Sequence, residues 1–335
     1  MPLTPRTIAG RKVKPIGFGC MSLSWAYGTP PSDEDGARVL ERALELGYDH
    51  LDTARIYGTG HNETLIGRTL KGRRKDFFLA SKTGIIVDGQ KRRIDCKPET
   101  IRAALEESLR LLQTDHIDLY YLHRRDFTVP IEESVGTLAQ LVKEGKIGAI
   151  GLSEMSAETV RRAHAEHPIA ALQTEYSPMT RNPEIAVLEA CRELGITFVA
   201  FSPVGRGLLA DPSLDMAALP EKDIRQAMPR FQGDTFVHNR ALASQFAAIA
   251  AREGVTAAQL SLAWVLSRGE HVVAIPGTMR LDHLEENFAR WDWEIPAATA
   301  AEIDALINQR TVIGNRYHPT MQPTIDTESF AEATA

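Results

Sequence analysis

FFLASK at residues 77–82, PETIRAALEESLRLL at 98–112 and IDLYYLH at 117–123 are the segments whose reading decides the fold. The first and last are short apolar runs of strand length. The segment between them opens with Pro98 in a first-turn position and repeats Ile101, Leu105, Leu109 and Leu112 at intervals of four, four and three, one apolar stripe along a helix. The local order is strand, helix, strand.

The same alternation holds outward in both directions. Toward the N-terminus, His50–Thr53 reads as a strand followed by a helix over Asn62–Leu70. Ile16–Met21 reads as a strand followed by a helix over Asp33–Leu46, with Gly47 as its C-terminal cap. Arg6–Ile8 and Arg11–Val13 flank Ala9-Gly10 as a hairpin. Toward the C-terminus, strands over Ile147–Ser153, Ala170–Thr174, Ile196–Ser202 and Val272–Pro276 alternate with helices over Ile131–Glu144, Ala157–Glu166, Glu184–Leu194, Asn239–Arg252, Ala257–Ser267 and Leu281–Phe288.

Counted from Ile16, there are eight strands, each followed by at least one helix. Strict strand–helix units predict a parallel sheet covered by helices. Eight such units are the number at which the sheet closes into a (β/α)8 barrel, here with an N-terminal β-hairpin. The competing architecture, an open doubly wound sheet, usually carries GxGxxG after its first strand. Gly17-Phe18-Gly19-Cys20-Met21-Ser22 lacks the third glycine, which favours the barrel. One barrel domain over residues 1–335 is expected, with its core at about 15–290 and a C-terminal helix and tail over 291–335. Gly84–Lys97 and Pro203–His238 are long loops rising from the C-terminal face, and the polar tail ending TIDTESFAEATA is expected to fray at its end.

Composition narrows the function. In 335 residues, 38 Lys+Arg against 44 Asp+Glu leave a net charge of −6, which argues against a surface for nucleic acid. The opening MPLTPRTIAGRKVKP lacks the apolar run of a secretory signal, and no membrane-spanning run is present, so a cytoplasmic location without membrane association is expected. Cys20, Cys96 and Cys191 are far apart, with no CxxC and no HExxH, so no metal site is expected.

In a barrel, polar residues at the C-terminal ends of strands face one site. Asp52 closes the second strand and Tyr57 follows in its loop; Lys82 closes the third and His123 the fourth, on the same side as Ile117, Leu119 and Tyr121. Each alone has a bland reading as a cap, a packed ring or an exposed cation. Together they make a chemical unit. A free phenol is a poor acid at neutral pH, a nearby ammonium stabilises its phenolate, and a buried ammonium needs a carboxylate. Asp52, Lys82 and Tyr57 supply that chain, and His123 can orient a carbonyl oxygen.

The strings GFGCMSLSWAYG, LDTARIYGTGHNETLIGRTLKGRR, FLASKTG, IDLYYLHR, GLSEMS, LQTEYSP, FSPVGRGLL and IPGTMRLDHLEENF resemble, in order, those of the aldo-keto reductases, nearest the bacterial and fungal NADP(H)-dependent members. The resemblance runs from about Pro15 to Phe288. It implies reversible reduction of aldehydes and ketones to alcohols by hydride transfer from NADPH in a barrel without a Rossmann fold. Tyr57 is implied as general acid/base, tuned by Lys82 and Asp52 and assisted by His123. It further implies Ser153 and Gln173 at the nicotinamide carboxamide, Phe201 stacked on the nicotinamide, and Met21, Ser202 and Pro203 beside it. Gly205, Arg206, Gly207 and Leu208 would strap the pyrophosphate with backbone N–H groups, Thr278 and Arg280 would hold the 2′-phosphate, Gly277 would also line the cofactor site, and Glu286 and Asn287 would lie near the adenine. NADP(H) is therefore expected over NAD(H).

Three departures stand out: Met279 where relatives often carry a basic residue, Glu154 where many have Asn, and Gln113 where a glycine often follows the helix. Trp25, Tyr27, Phe231 and Phe236 are expected to line a substrate pocket for a small carbonyl compound or alcohol. Lys91, Arg92 and Arg93 could attract an acidic substrate or form a solvated charge run. Oligomeric state is left open. Two other readings compete. One is a regulatory protein resembling potassium-channel beta subunits, binding the cofactor with little turnover. The other is a barrel aldolase with Lys82 as Schiff-base nucleophile.

Overall fold

The computed structural model describes residues 3–88 and 91–330. Strands β1 (Arg6–Ile8) and β2 (Arg11–Val13) form an antiparallel hairpin. The barrel strands that follow are β3 (Phe18–Gly19), β4 (His50–Asp52) and β5 (Phe78–Thr83). A second hairpin, β6 (Ile85–Asp88) and β7 (Lys91–Ile94), precedes β8 (Ile117–Leu122), β9 (Ile147–Ser153), β10 (Ile169–Glu175), β11 (Thr197–Phe201) and β12 (Val272–Ile275). The parallel order β3-β4-β5-β8-β9-β10-β11-β12 closes through the segment before β3, where Ile16 bridges Ala274 and the Gly17 N–H donates to the Ala274 carbonyl at 2.8 Å.

The closure explains why the expected strand Ile16–Met21 is ladder-paired only at Phe18–Gly19 before turning into a 3-10 helix at Cys20–Leu23. A Cβ at Gly19 would lie 2.8 Å from the Ile275 carbonyl oxygen, so this seam admits glycine alone.

Helices α1 (Asp33–Leu46), α2 (His61–Leu70), α3 (Pro98–Leu112), α4 (Ile131–Lys143), α5 (Ala157–Glu166), α6 (Val187–Leu194), α7 (Gly233–Arg252), α8 (Ala257–Leu266), α9 (Leu281–Ala289) and α10 (Ala297–Leu306) accompany the strands. The four stripe residues of α3 are buried as the spacing demands, each burial stabilising by about 2 kcal/mol. Gln113, in place of the commoner glycine, caps α3 in the left-handed region at φ 52°.

Strand residues alternate between two cores. Phe78, Ala80, Leu119, Tyr121, Ala171, Val199 and Val273 fill the barrel, with Ile8 and Val13 of the hairpin joining them. Leu79, Tyr120, Leu122, Leu172, Phe198 and Val272 pack outward. Ile117, expected inside, belongs to the outer layer.

Two of the three long segments depart from expectation. Gly84–Lys97 is mostly the β6–β7 hairpin, with residues 89 and 90 outside the described residues. In Pro203–His238 the last six residues already belong to α7. The tail is docked as far as Phe330, and its end, where fraying is expected, lies outside the described residues. Asp326 accepts from the Ser156 N–H at 3.0 Å and Glu328 from the Ala157 N–H at 2.8 Å. Both carboxylates thereby cap the N-terminus of α5, where the helix dipole favours negative charge. Among the described residues no helix is long and apolar enough to cross a membrane.

Candidate active site

Alternation along β5 puts Lys82 in line with Phe78 and Ala80, so its side chain emerges inside the barrel at the strand ends. Its ammonium is buried and paired with Asp52 of β4, donates to the Thr53 carbonyl at 2.7 Å, and stands 3.4 Å from the Tyr57 hydroxyl. Tyr57 lies on the 3-10 turn after β4, held by its N–H to the Ala54 carbonyl at 3.0 Å. His123 extends the β5–β8 ladder by one bond, N–H to the Thr83 carbonyl at 2.8 Å, and its ring meets the Tyr57 ring edge-on at 5.9 Å. The four residues chosen from sequence therefore meet at one place.

Their protonation states follow from burial and neighbours. Burial strips water from the Lys82 ammonium, but Asp52 and then Tyr57 outweigh that cost and raise its pKa. Burial is also the largest influence on the Tyr57 phenol and raises it; the opposing pull of Lys82 is smaller. In the folded chain burial wins over that pull, and Tyr57 is protonated at neutral pH. Burial, followed by the positive charges of Arg124, Lys82 and Arg92, holds His123 well below its ordinary value, so the imidazole is neutral. A neutral imidazole can donate one hydrogen bond but is no reservoir of protons.

Gln173 does something its position in the sequence did not suggest. Its Nε2 donates to Asp52 Oδ2 at 2.7 Å, so Asp52 is fixed by Lys82 on one oxygen and Gln173 on the other. Ser153 pairs in register with Gln173 across β9 and β10, and Phe201 ends the next strand half-buried. An amide, a hydroxyl and an aromatic face at adjacent strand ends suit a flat ring bearing a carboxamide. Met21 packs against Ala54, Ile56 and Tyr57. Ser202 has φ 49°, and the Pro203 carbonyl accepts from Ser261 Oγ at 2.6 Å.

The strap over Gly205–Leu208 differs from expectation. The N–H groups of Gly205, Gly207 and Leu208 donate to the carbonyls of Ser202, Val204 and Gly205 at 3.0, 3.1 and 3.2 Å, so these amides close the turn itself. Leu208 packs in the outer core. The Arg206 guanidinium is not a free cation: it is buried against Glu175 at 2.5 Å and also reaches the Tyr27 hydroxyl at 3.3 Å. After β12, the buried Thr278 accepts from the Arg280 N–H at 3.1 Å, while the exposed Arg280 guanidinium forks onto Asp282 at 2.5 Å. A Cβ on Gly277 would meet the Gly19 carbonyl at 2.7 Å. The Glu286 carbonyl accepts from Gln259 at 2.9 Å, and Asn287 is buried.

Glu154, noted as a departure, belongs to a buried charge ladder that crosses from the tail. Arg316 lies 2.5 Å from Glu154 and 3.4 Å from Glu175, and Glu175 passes the contact on to Arg206. The Thr327 hydroxyl also donates to Glu154 at 2.9 Å. Glu154 has φ 53°, a left-handed conformation that Asn adopts more readily than Glu. Burial alone would raise the Glu175 pKa, yet Arg206 and Arg316 bring it down to about 2. Nothing local in the sequence marks Arg316, because its partners are far along the chain.

Of the residues expected to line a pocket, Trp25 packs beside the Tyr57 cluster and Tyr27 leans on Arg206. Phe231 and Phe236 stack on each other at 6.1 Å and join the outer core, and Phe231 also lines a small pocket with Arg206, Arg230 and Arg316. Arg93 pairs with Asp95, the Arg92 guanidinium lies 4.3 Å over the Trp25 ring, and the Lys91 side chain lies outside the described residues.

Comparison with known proteins identifies the family. Residues 15–308 match the model of the Aldo/keto reductase family. The chain is 43% identical over 326 residues to the aldo-keto reductase yakc of Schizosaccharomyces pombe, whose name carries NADP(+), covering 95% of this chain and 96% of the other. It is 41% identical over 311 residues to a probable aldo-keto reductase 1 of Glycine max, covering 92% and 90%. Among solved structures, a glycerol dehydrogenase from Gluconobacter oxydans superposes with a TM-score of 0.83 at 26% identity, covering 99% of each chain. An aldo-keto reductase from Klebsiella pneumoniae in complex with NADPH superposes with a TM-score of 0.73 at 26% identity, covering 95% of this chain and 99% of that one. By a family match over most of its length and by identity to curated relatives, the chain belongs to the aldo/keto reductase family.

Proposed function

We propose that the protein is an NADP(H)-dependent carbonyl reductase that interconverts aldehydes or ketones and alcohols, with Tyr57 as its proton donor. The observation that carries this reading is the buried chain Asp52–Lys82–Tyr57, with a neutral His123 beside the phenol. The NADP(+) in the name of the fission-yeast relative and the NADPH in the Klebsiella complex support the choice of cofactor.

The bound dinucleotide would supply the hydride. Gln173 and Ser153 would hold its carboxamide, Phe201 its ring, and Thr278 and Arg280 its 2′-phosphate. Tyr57 donates its proton to the carbonyl oxygen as the carbon gains the hydride. The phenolate left behind is stabilised by Lys82, which Asp52 keeps charged. His123 donates a hydrogen bond to the same oxygen and fixes its position. In the alcohol-oxidising direction the phenolate form of Tyr57 takes the proton back.

Two expectations test this reading. Reduction needs the protonated phenol, whose pKa is raised, so kcat/KM for an aldehyde should stay level through neutral pH and fall only on the alkaline side. Oxidation of the alcohol should rise with pH over the same range. Because His123 is held neutral, no activity step should appear near pH 6.5. A pH profile in both directions checks the signs, and an acid limb removed by His123→Gln would contradict them. Second, the exposed Arg280–Asp282 pair is weakly held and a phosphate can displace it. Arg280→Ala should weaken NADPH binding by roughly tenfold and NADH binding by less than about twofold, read by fluorescence titration. Equal losses would remove the 2′-phosphate role.

A further inference from the structure

We propose that this site is built for a carbonyl compound carrying a second, carboxylate group, which Arg124 and Arg92 receive at its mouth. The inference rests on the reductase reading above and adds the substrate class to it.

Arg124 follows His123 directly at the end of β8. Its Nη1 donates to the His123 carbonyl at 2.7 Å and reaches Ser153 Oγ at 3.4 Å. Arg92, on β7, lies 4.3 Å over the ring of Trp25, which packs against the cluster containing Tyr57. The indole therefore lies between that cluster and a guanidinium. His123 is flanked by positive charge from Arg124 and Arg92 in addition to Lys82.

Unlike the arginines around them, these two have no acid partner among the described residues. The neighbouring arginines are neutralised: Arg93 by Asp95, Arg125 by Asp326 and Arg55 by Glu107. Arg92 and Arg124 have no carboxylate within ion-pair distance among the described residues, in a chain whose acids outnumber its Lys and Arg. The one carboxylate at the centre of the site, Asp52, is already committed to Lys82 and Gln173. The carbonyl position thus faces an unbalanced positive field, and two planar guanidinium forks match a carboxylate. The phosphates of the proposed cofactor are assigned to other strands, beyond β11 and β12, so they leave Arg92 and Arg124 free. A carboxylate bound there fixes one end of the substrate while its carbonyl oxygen meets Tyr57 and His123.

The test uses matched acid and ester pairs on the intact protein with NADPH: 4-carboxybenzaldehyde against methyl 4-formylbenzoate, and succinic semialdehyde against its methyl ester. The two pairs vary the reach between the groups while keeping each carbonyl comparable. In at least one pair the acid should have a kcat/KM about tenfold above its ester, carried by KM and shrinking as salt rises. Arg124→Met and Arg92→Met should each lower the acid-to-ester ratio several-fold, and Arg124→Lys should restore part of it by returning the charge. NADPH titration of each variant reports that the fold and cofactor site are intact. Esters reduced as well as acids in both pairs, or an acid preference that survives both Met variants, would overturn the inference and leave the reductase reading standing. Bound NADPH with no reduction of any of the four aldehydes would overturn both.

Discussion

Replacing Tyr57 by Phe should lower kcat for aldehyde reduction by about two to four orders of magnitude, the usual worth of a positioned proton donor. The loss belongs to chemistry alone, because Phe keeps the ring that meets His123 edge-on at 5.9 Å and that lies 5.1 Å from the Lys82 ammonium. NADPH affinity should change by less than about threefold, since none of the groups assigned to the cofactor's carboxamide and phosphates is altered. Single-turnover kinetics beside a fluorescence titration separate the two quantities. Turnover near that of the unaltered protein would remove Tyr57 from its proposed role. Lys82→Met would be a poorer test, because it leaves Asp52 buried without its ammonium and so alters stability as well as chemistry.

Arg316→Met should be the most destabilising single change away from the strand ends. The substitution leaves Glu154 fully buried with only the Glu175 N–H at 3.0 Å and the Thr327 hydroxyl as donors, and Glu175 with Arg206 alone among the ladder's cations. Breaking a buried pair from one side costs about 3–5 kcal/mol, on the order of 10 °C in Tm for a chain of this size. The tail should loosen at the same time, which hydrogen exchange over residues 316–330 would report. Adding Glu154→Gln removes the stranded charge and should recover part of the loss. A Tm within about 2 °C of the parent for Arg316→Met would show that the ladder carries little.

The same ladder predicts an acid limit. Glu175 titrates near 2 in the folded chain, below the usual value for a free glutamate. Its pKa is lowered by folding, so its contribution is complete above the unfolded value and is lost as pH falls toward 2. Neutral and alkaline solutions should leave this contact unchanged.

What the sequence determined by itself was the architecture and the place of chemistry. The stripe of Ile101, Leu105, Leu109 and Leu112 is a record of which face of α3 meets the barrel, and the short runs around Lys82 and His123 record strands covered on both sides. Both are local consequences of burial, written at periods of 3.6 and 2. Once eight such units are counted, closure brings strand ends together, and Asp52, Lys82 and His123 converge without further information. In the sequence Gln113 only stands where a glycine often follows the helix, and its left-handed backbone explains why glycine is commoner there.

Only the tertiary structure decided where the charges go. The guanidinium of Arg206, a residue expected on the pyrophosphate strap, is paired with Glu175; Arg316, in the polar tail, is buried at the centre of the ladder. That Phe231 and Phe236 stack on each other was likewise visible only in the fold. Arg92 in a basic run was indistinguishable from Arg93, until the β6–β7 hairpin gave one of them an aspartate and the other an indole. The physical reason is the same in each case. Periodicity encodes the burial of a face, whereas an ion pair depends on a partner elsewhere in the chain, 162 residues away for Arg316 and Glu154. Composition and spacing carry no signal of that partner, and folding alone selects it.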